Sequence, residues 1–150
     1  MQTADVQRWF GTYLADYAAL ARGDLDDSRR VLGHYGVPLL LSTDASCVVL
    51  VDEAQVAAAV QRQIDDLRAA GYDRSDQLAA DTVVLNRSCA THRVLLSRLR
   101  SDGTEIARLE VTYLITDASE GRRISALVVH STQDGGSAVP ASTQSSAAGS

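Results

Sequence analysis

Between residues 90 and 130 the chain alternates in twos. His92, Val94 and Leu96 recur at every second position, as do Ala107, Leu109, Val111 and Tyr113. That period marks a strand, whose successive side chains point to opposite faces. Turn formers interrupt it at Asp102-Gly103 and between Asp117 and Gly121, which predicts strands over residues 82–85, 90–99, 105–116 and 123–130, joined as an antiparallel meander. A two-residue type I′ turn at Asp102-Gly103 sets His92 opposite Tyr113, Val94 opposite Val111, Leu96 opposite Leu109 and Arg100 opposite Glu105. If Thr116 faces Gly121 across the next turn, Ile124 lies opposite Tyr113, Ala126 opposite Val111, Val128 opposite Leu109 and His130 opposite Ala107. All of these side chains then share one face, the face to be covered. The other face mixes Leu95, Leu99, Ile106, Leu114, Leu127 and Val129 with Arg93, Arg108, Glu110 and Thr112. It is too apolar for a fully solvated sheet and predicts a homodimer formed through it.

The cover comes from helices. Val6, Trp9, Phe10, Tyr13, Leu14, Tyr17 and Leu20 fall at offsets of three and four, which predicts a helix over residues 4–21 with one apolar stripe. Gly23 ends it, and Asp24 is expected to cap a short second helix presenting Leu25, Val31, Leu32 and Tyr35 before Gly36 and Pro38 redirect the chain. Two short strands follow, over residues 37–42 and 47–51, separated by a turn at 43–46. Asp52 and Gln55 have the spacing of a capping box, and Val56, Val60, Ile64 and Leu67 form the stripe of a third helix closed by Gly71.

A chain of 150 residues supports one sizeable core. The expected division is a single domain over residues 1–132 and a disordered tail over 133–150, where Ser, Thr, Ala, Gly and Pro dominate and Asp134 is the single charge. A net charge of −5 argues against nonspecific nucleic-acid binding. No apolar run approaches the roughly 20 residues that span a bilayer, so the expectation is a cytoplasmic protein without a membrane partner. Cys47 and Cys89 lack metal-ligand spacing and read as small buried hydrophobes. All fourteen basic residues are arginine; seven stand against thirteen acids up to Asn86, and seven against five from Arg87 to Arg123. On strands such arginines shield a sheet from water and from edge pairing.

The order helix, helix, two short strands, long helix and four-stranded meander resembles the NTF2-like superfamily, in particular its SnoaL-like bacterial members. The phrases that carry the resemblance are Ala21-Arg22-Gly23-Asp24-Leu25-Asp26, Asp52-Glu53, and Arg100-Ser101-Asp102-Gly103-Thr104-Glu105. Gly121-Arg122-Arg123-Ile124 stands where relatives often carry a tryptophan. Over residues 4–130 the resemblance implies an α+β cone: three N-terminal helices on a curved, mixed, mainly antiparallel sheet enclosing a cavity, commonly in a dimer. Ketosteroid isomerases and polyketide cyclases of this type rely on a buried carboxylate near the first short strand. Leu39-Leu40-Leu41-Ser42 supplies none, and Asp44 falls in the following turn, where its side chain can bond its own backbone instead.

The remaining polar candidates come from the predicted faces. Trp9, Tyr13 and Tyr17 can wall a pocket or simply pack in the core, with Tyr35 joining from the second helix. His92, pointing inward beside Tyr113, needs a buried partner; the same imidazole can serve as a general base or as a polar anchor for a ligand. Val94, Val111 and Ile124 line the wall, and His130 beside Arg98 would form a mouth able to hold a carboxylate or enolate. No phosphate loop, nucleophile elbow or metal motif is present, and neither a cofactor nor a metal is expected. Three functions fit: a module binding a small hydrophobic molecule; a lyase, isomerase or hydrolase of polyketide, steroid or terpenoid-like substrates, using His92 or Asp44 as base; and a structural dimerisation module.

Overall fold

The computed structural model describes residues 1–132; the expected tail lies outside the described residues. The chain forms α1 (Thr3–Arg22), α2 (Arg29–Leu32), β1 (Tyr35–Ser42), β2 (Cys47–Leu50), α3 (Glu53–Ala69), β3 (Tyr72–Asn86), β4 (Cys89–Arg100), β5 (Glu105–Ala118) and β6 (Gly121–Val129). The strands make one curved six-stranded sheet in the order β2-β1-β6-β5-β4-β3, and the helices pack on it to give an α+β cone. β1 and β6 run parallel, whereas every other neighbouring pair is antiparallel.

α1 buries Val6, Phe10, Tyr13, Tyr17 and Leu20, the stripe that the three-and-four spacing predicts. Gly23 ends it with φ 93°, and the backbone N–H groups beyond return to Ala19 and Leu20. A left-handed residue there lets the chain satisfy carbonyls that a helix end leaves open. Asp24 does not cap the next helix. Its carboxylate pairs with Arg22, α2 starts later, and Asp27 accepts the Arg29 N–H. Tyr35 belongs to β1, not to α2. α3 begins as its sequence requires: Asp52 accepts the Gln55 N–H at 2.8 Å, and Gln55 Oε1 accepts the Val51 N–H at 2.9 Å.

The meander departs from its predicted form in three places. β3 spans fifteen residues where four were expected. Its first part, from Asp73 to Asp81, is polar, stands at the sheet edge and carries two register shifts, so no alternation marks it. Between β4 and β5, His92 does face Tyr113, Val94 faces Val111 and Leu96 faces Leu109. The turn itself differs. Arg100 bonds Thr104 and Gly103 across a three-residue loop, with Gly103 alone at positive φ, and a shift beside Arg98 sets Leu99, not Arg100, opposite Glu105. The longer loop and the bulge offset one another, so the inner register survives.

Between β5 and β6 the predicted register fails. Ala118 pairs with Gly121, which tightens the turn and moves Ile124 opposite Ile115 rather than Tyr113. A further shift puts Leu127 opposite Tyr113 and Val129 opposite Val111. One residue of slip exchanges the faces of a strand. Leu127 and Val129 therefore pack against the core, while Val128 is exposed and His130 bonds the outward-facing Thr112. Cys47 is exposed, against its expected burial, and Cys89 is half-buried.

Because the Asp52 side chain and Gln55 together satisfy two N–H groups at the start of α3, Asp52→Ala should lower stability by about 1 kcal/mol. The check is urea unfolding followed by circular dichroism, with the native spectrum unchanged.

Candidate functional site

The inner face of β4 carries His92, Val94, Leu96 and Arg98 in strict alternation, and β5 opposes it with Ala107, Leu109, Val111 and Tyr113. α1 lays its aromatic residues over this surface. Phe10 touches both His92 and Tyr113, with ring centroids 4.2 and 4.8 Å away, and Tyr13 lies 6.0 Å from Tyr113. Edge-on and tilted contacts of this kind add roughly 0.5–1.5 kcal/mol each beyond area burial.

The phenols are paired in specific ways. Tyr13 and Tyr35 hydroxyls share a 2.6 Å hydrogen bond, and Tyr17 donates to Gln63 Oε1 at 2.6 Å. Burial pushes the Tyr13 and Tyr35 phenols well above their ordinary 10, helped at both by neighbouring phenols. Tyr17 is also pushed up by burial, opposed by the charge of Arg98, and Tyr113 rises to about 12 by burial against the same opposing charge. All four remain neutral near pH 7 and present O–H groups rather than phenolates.

His92 is 2% exposed. The buried partner that it needs is Thr82, whose hydroxyl lies 2.7 Å from Nδ1. Nε2 is buried and has no partner among the described residues. Burial pushes the imidazole below its usual 6.5, with Asp81 acting weakly the other way, so the ring is neutral near pH 7.

Arg98 is turned inward, 6% exposed, with its guanidinium carbon 5.9 Å from the Tyr17 ring centroid and Nη1 unpartnered among the described residues. It does not meet His130. That histidine is on the outer face, where Nε2 lies 2.6 Å from the Thr112 hydroxyl and Nδ1 is 4.0 Å from Glu110. Glu110 is outward as expected and pairs with Arg93, which holds its carboxyl below the usual range. Asp44 is exposed in the β1–β2 turn and accepts from Ser131 at 2.5 Å.

Of the predicted wall, Tyr13, Tyr17, Tyr35, Tyr113, Val94, Val111 and Ile124 are buried in one cluster, and Trp9 packs half-buried at its edge. Trp9 rests edge-on against His34, whose Nε2 is 3.0 Å from Asp16. The Asp16–His34 pair and Gln63 have no sequence signal, since the partners sit on separate elements without fixed spacing. Arg98 had one: the alternation that turns His92 inward also turns Arg98 inward. Among the described residues no group of three or more His, Cys, Asp or Glu could hold a metal ion. No helix there is long and apolar enough to cross a membrane.

A helix-covered cone of this topology, with an aromatic and sparsely polar interior, is the NTF2-like architecture. Residues 4–132 match the family described as NTF2-like protein (DUF6841), and the chain belongs to it. Among solved structures, a domain of unknown function with a cystatin-like fold from Nostoc punctiforme is 19% identical, with 89% of this chain and 81% of that one covered at a TM-score of 0.65. A second cystatin-like protein of unknown function from the same organism is 9% identical, covering 89% and 96% at a TM-score of 0.65. An NTF-2 like protein of unknown function from Shewanella oneidensis is 18% identical, covering 86% and 98% at 0.61. These likenesses establish the fold. No curated protein matches the chain.

The buried neutral His92 has a pH consequence. Its unfolded counterpart takes up a proton below about 6.5, before the folded imidazole does, so stability should fall as pH drops through 6.5 toward the lower folded value. Glu105, Glu110 and Asp117 are held below their ordinary values by hydrogen bonds from Ser97, Arg93 and Arg122 respectively; their decline sets in only below about pH 4.5. Urea unfolding between pH 7 and 5 should therefore show a slope that His92→Phe reduces.

Proposed function

We propose that the chain binds a small, largely hydrophobic molecule between the aromatic face of α1 and the inner face of β4 and β5. One observation carries this reading: the two fully buried side-chain polar atoms without partners among the described residues, His92 Nε2 and Arg98 Nη1, both lie along that inner face. Buried polar groups in folded proteins are almost always hydrogen-bonded, and an orphan in an apolar wall points to a missing partner. Trp9, Tyr13, Tyr17, Tyr35, Tyr113, Val94, Val111 and Ile124 would supply the apolar contact. The reading includes SnoaL-like kinship and a homodimer through the outer sheet face, where Leu95, Ile106 and Leu114 are half-buried in the single chain and Val128 is exposed. Sedimentation of the full chain tests the dimer, and a monomer at assay concentration removes it.

A second reading is catalysis on a polyketide, steroid or terpenoid-like substrate by lyase, isomerase or hydrolase chemistry. What favours it is His92 itself: a neutral imidazole paired across the strands with Tyr113 can take a proton while a phenolic hydroxyl steadies a developing oxyanion. Asp44, exposed and bonded to Ser131, is the weaker candidate base.

A thermal-shift screen over steroids, terpenoids, aromatic polyketides and fatty acids should find a class that raises the melting temperature, because a ligand bound only by the native state stabilises it. His92→Phe retains the ring and removes its nitrogens. A ligand anchored there should lose about 1–3 kcal/mol of affinity by calorimetry. No stabilising ligand in any class would leave the structural dimerisation module as the better account.

A further inference from the structure

Most arginines within the sheet find a partner. Arg93 meets Glu110, Arg108 meets Glu105, Arg122 makes a two-pronged pair with Asp117, and Arg100 donates to the Ala70 carbonyl. Arg98, the most deeply enclosed, meets neither a carboxylate nor a backbone carbonyl among the described residues. It stands on the inner side of β4 opposite Ala107 and Ser75, is 6% exposed, and forms no ion pair among the described residues. A guanidinium does not lose its proton, so burial cannot be relieved by neutralisation as it can for lysine or histidine. The Tyr17 ring beneath it offers a cation–π contact but no negative charge. The surrounding phenols Tyr13, Tyr17, Tyr35 and Tyr113 are all neutral near pH 7, as described above. The region is thus rich in hydrogen-bond donors, carries one positive charge and, among the described residues, has no carboxylate paired with it.

We infer that Arg98 receives the carboxylate of a small, otherwise apolar acid, with the apolar body laid along Tyr17, Tyr113 and Phe10. The charge count selects a monoanion, since a doubly charged phosphate would leave one negative charge uncompensated in the same enclosure. The fork of guanidinium N–H groups matches the two oxygens of a planar carboxylate. This specifies the ligand class within the binding reading and rests on it.

The test uses the full chain and matched neutral analogues: octanoate against octanamide, and hydrocinnamate against hydrocinnamamide, titrated by calorimetry. At least one acid should bind tenfold or more tightly than its amide, a difference of about 1.4 kcal/mol. Arg98→Met should bring that ratio close to one, and Arg98→Lys should keep part of it. Arg98→Met should also melt at or above the wild-type temperature, because it removes an uncompensated buried charge. A purely structural arginine would instead give a lower melting temperature and leave the ratio unchanged, which overturns the proposal. Equal binding of acid and amide by the wild type overturns it too, while leaving a neutral-ligand site intact and needing no variant to fold. If neither acid nor amide binds and the wider screen is also empty, both this inference and the binding reading fall.

Discussion

The pairing of β4 with β5 decides which side chains this protein encloses. Each inner residue of one strand faces an inner residue of the other, from His92 and Tyr113 to Arg98 and Ala107. A displacement by one position would turn Arg93, Leu95 and Ser97 toward α1 and expel the histidine and the arginine. The hydrophobic pattern on both strands holds the register, since Val94, Leu96, Leu109 and Val111 are buried only in this arrangement. The aromatic stripe of α1 then has one surface that fits it. Phe10 sits where it can touch both strands, and Tyr13, one helical turn on, meets the phenols of β1 and β5.

How much of this could be read in advance depended on what each element buries. α1 and α3 were legible because each buries one stripe, and the capping pair at Asp52 announced where α3 begins. The inner register of β4 and β5 was legible because alternation is strict on both strands. The first part of β3 was not, because an edge strand exposed on both sides has no face to mark. The sidedness of β6 failed for a different reason. Its sequence, Ala126-Leu127-Val128-Val129, is apolar on both faces, so pattern alone does not fix register, and a shift between Leu114 and Ile115 reversed it. That reversal separated His130 from Arg98. For the candidate site the alternation brought His92 and Arg98 inward, but the Thr82 partner and the Asp16–His34 pair join distant elements through tertiary packing.

The interior also shows how one architecture supports different chemistries. The stretch Leu39 to Ser42 is wholly without acid, and the nearest in sequence, Asp44, is turned to solvent. Besides the phenols, the interior receives its polar groups from β4, as one neutral imidazole and one cation. The electrostatic sign of the enclosure is therefore reversed relative to a carboxylate-based site, and such an interior stabilises negative rather than positive charge.

The strand order has a consequence for how the chain assembles. β6 is the last strand of the described chain, yet it lies between β1 and β5 and is the one strand that joins the first hairpin to the meander. Until residues 121–129 are available, β1–β2 and β3–β5 are separate pieces of sheet, and the parallel contact of β1 with β6 closes a loop of about eighty residues or more by sequence position. An incomplete chain leaves both edges of the gap unpaired, each a template for another chain. Protection of the growing protein against aggregation thus depends on the arrival of residues 121–129.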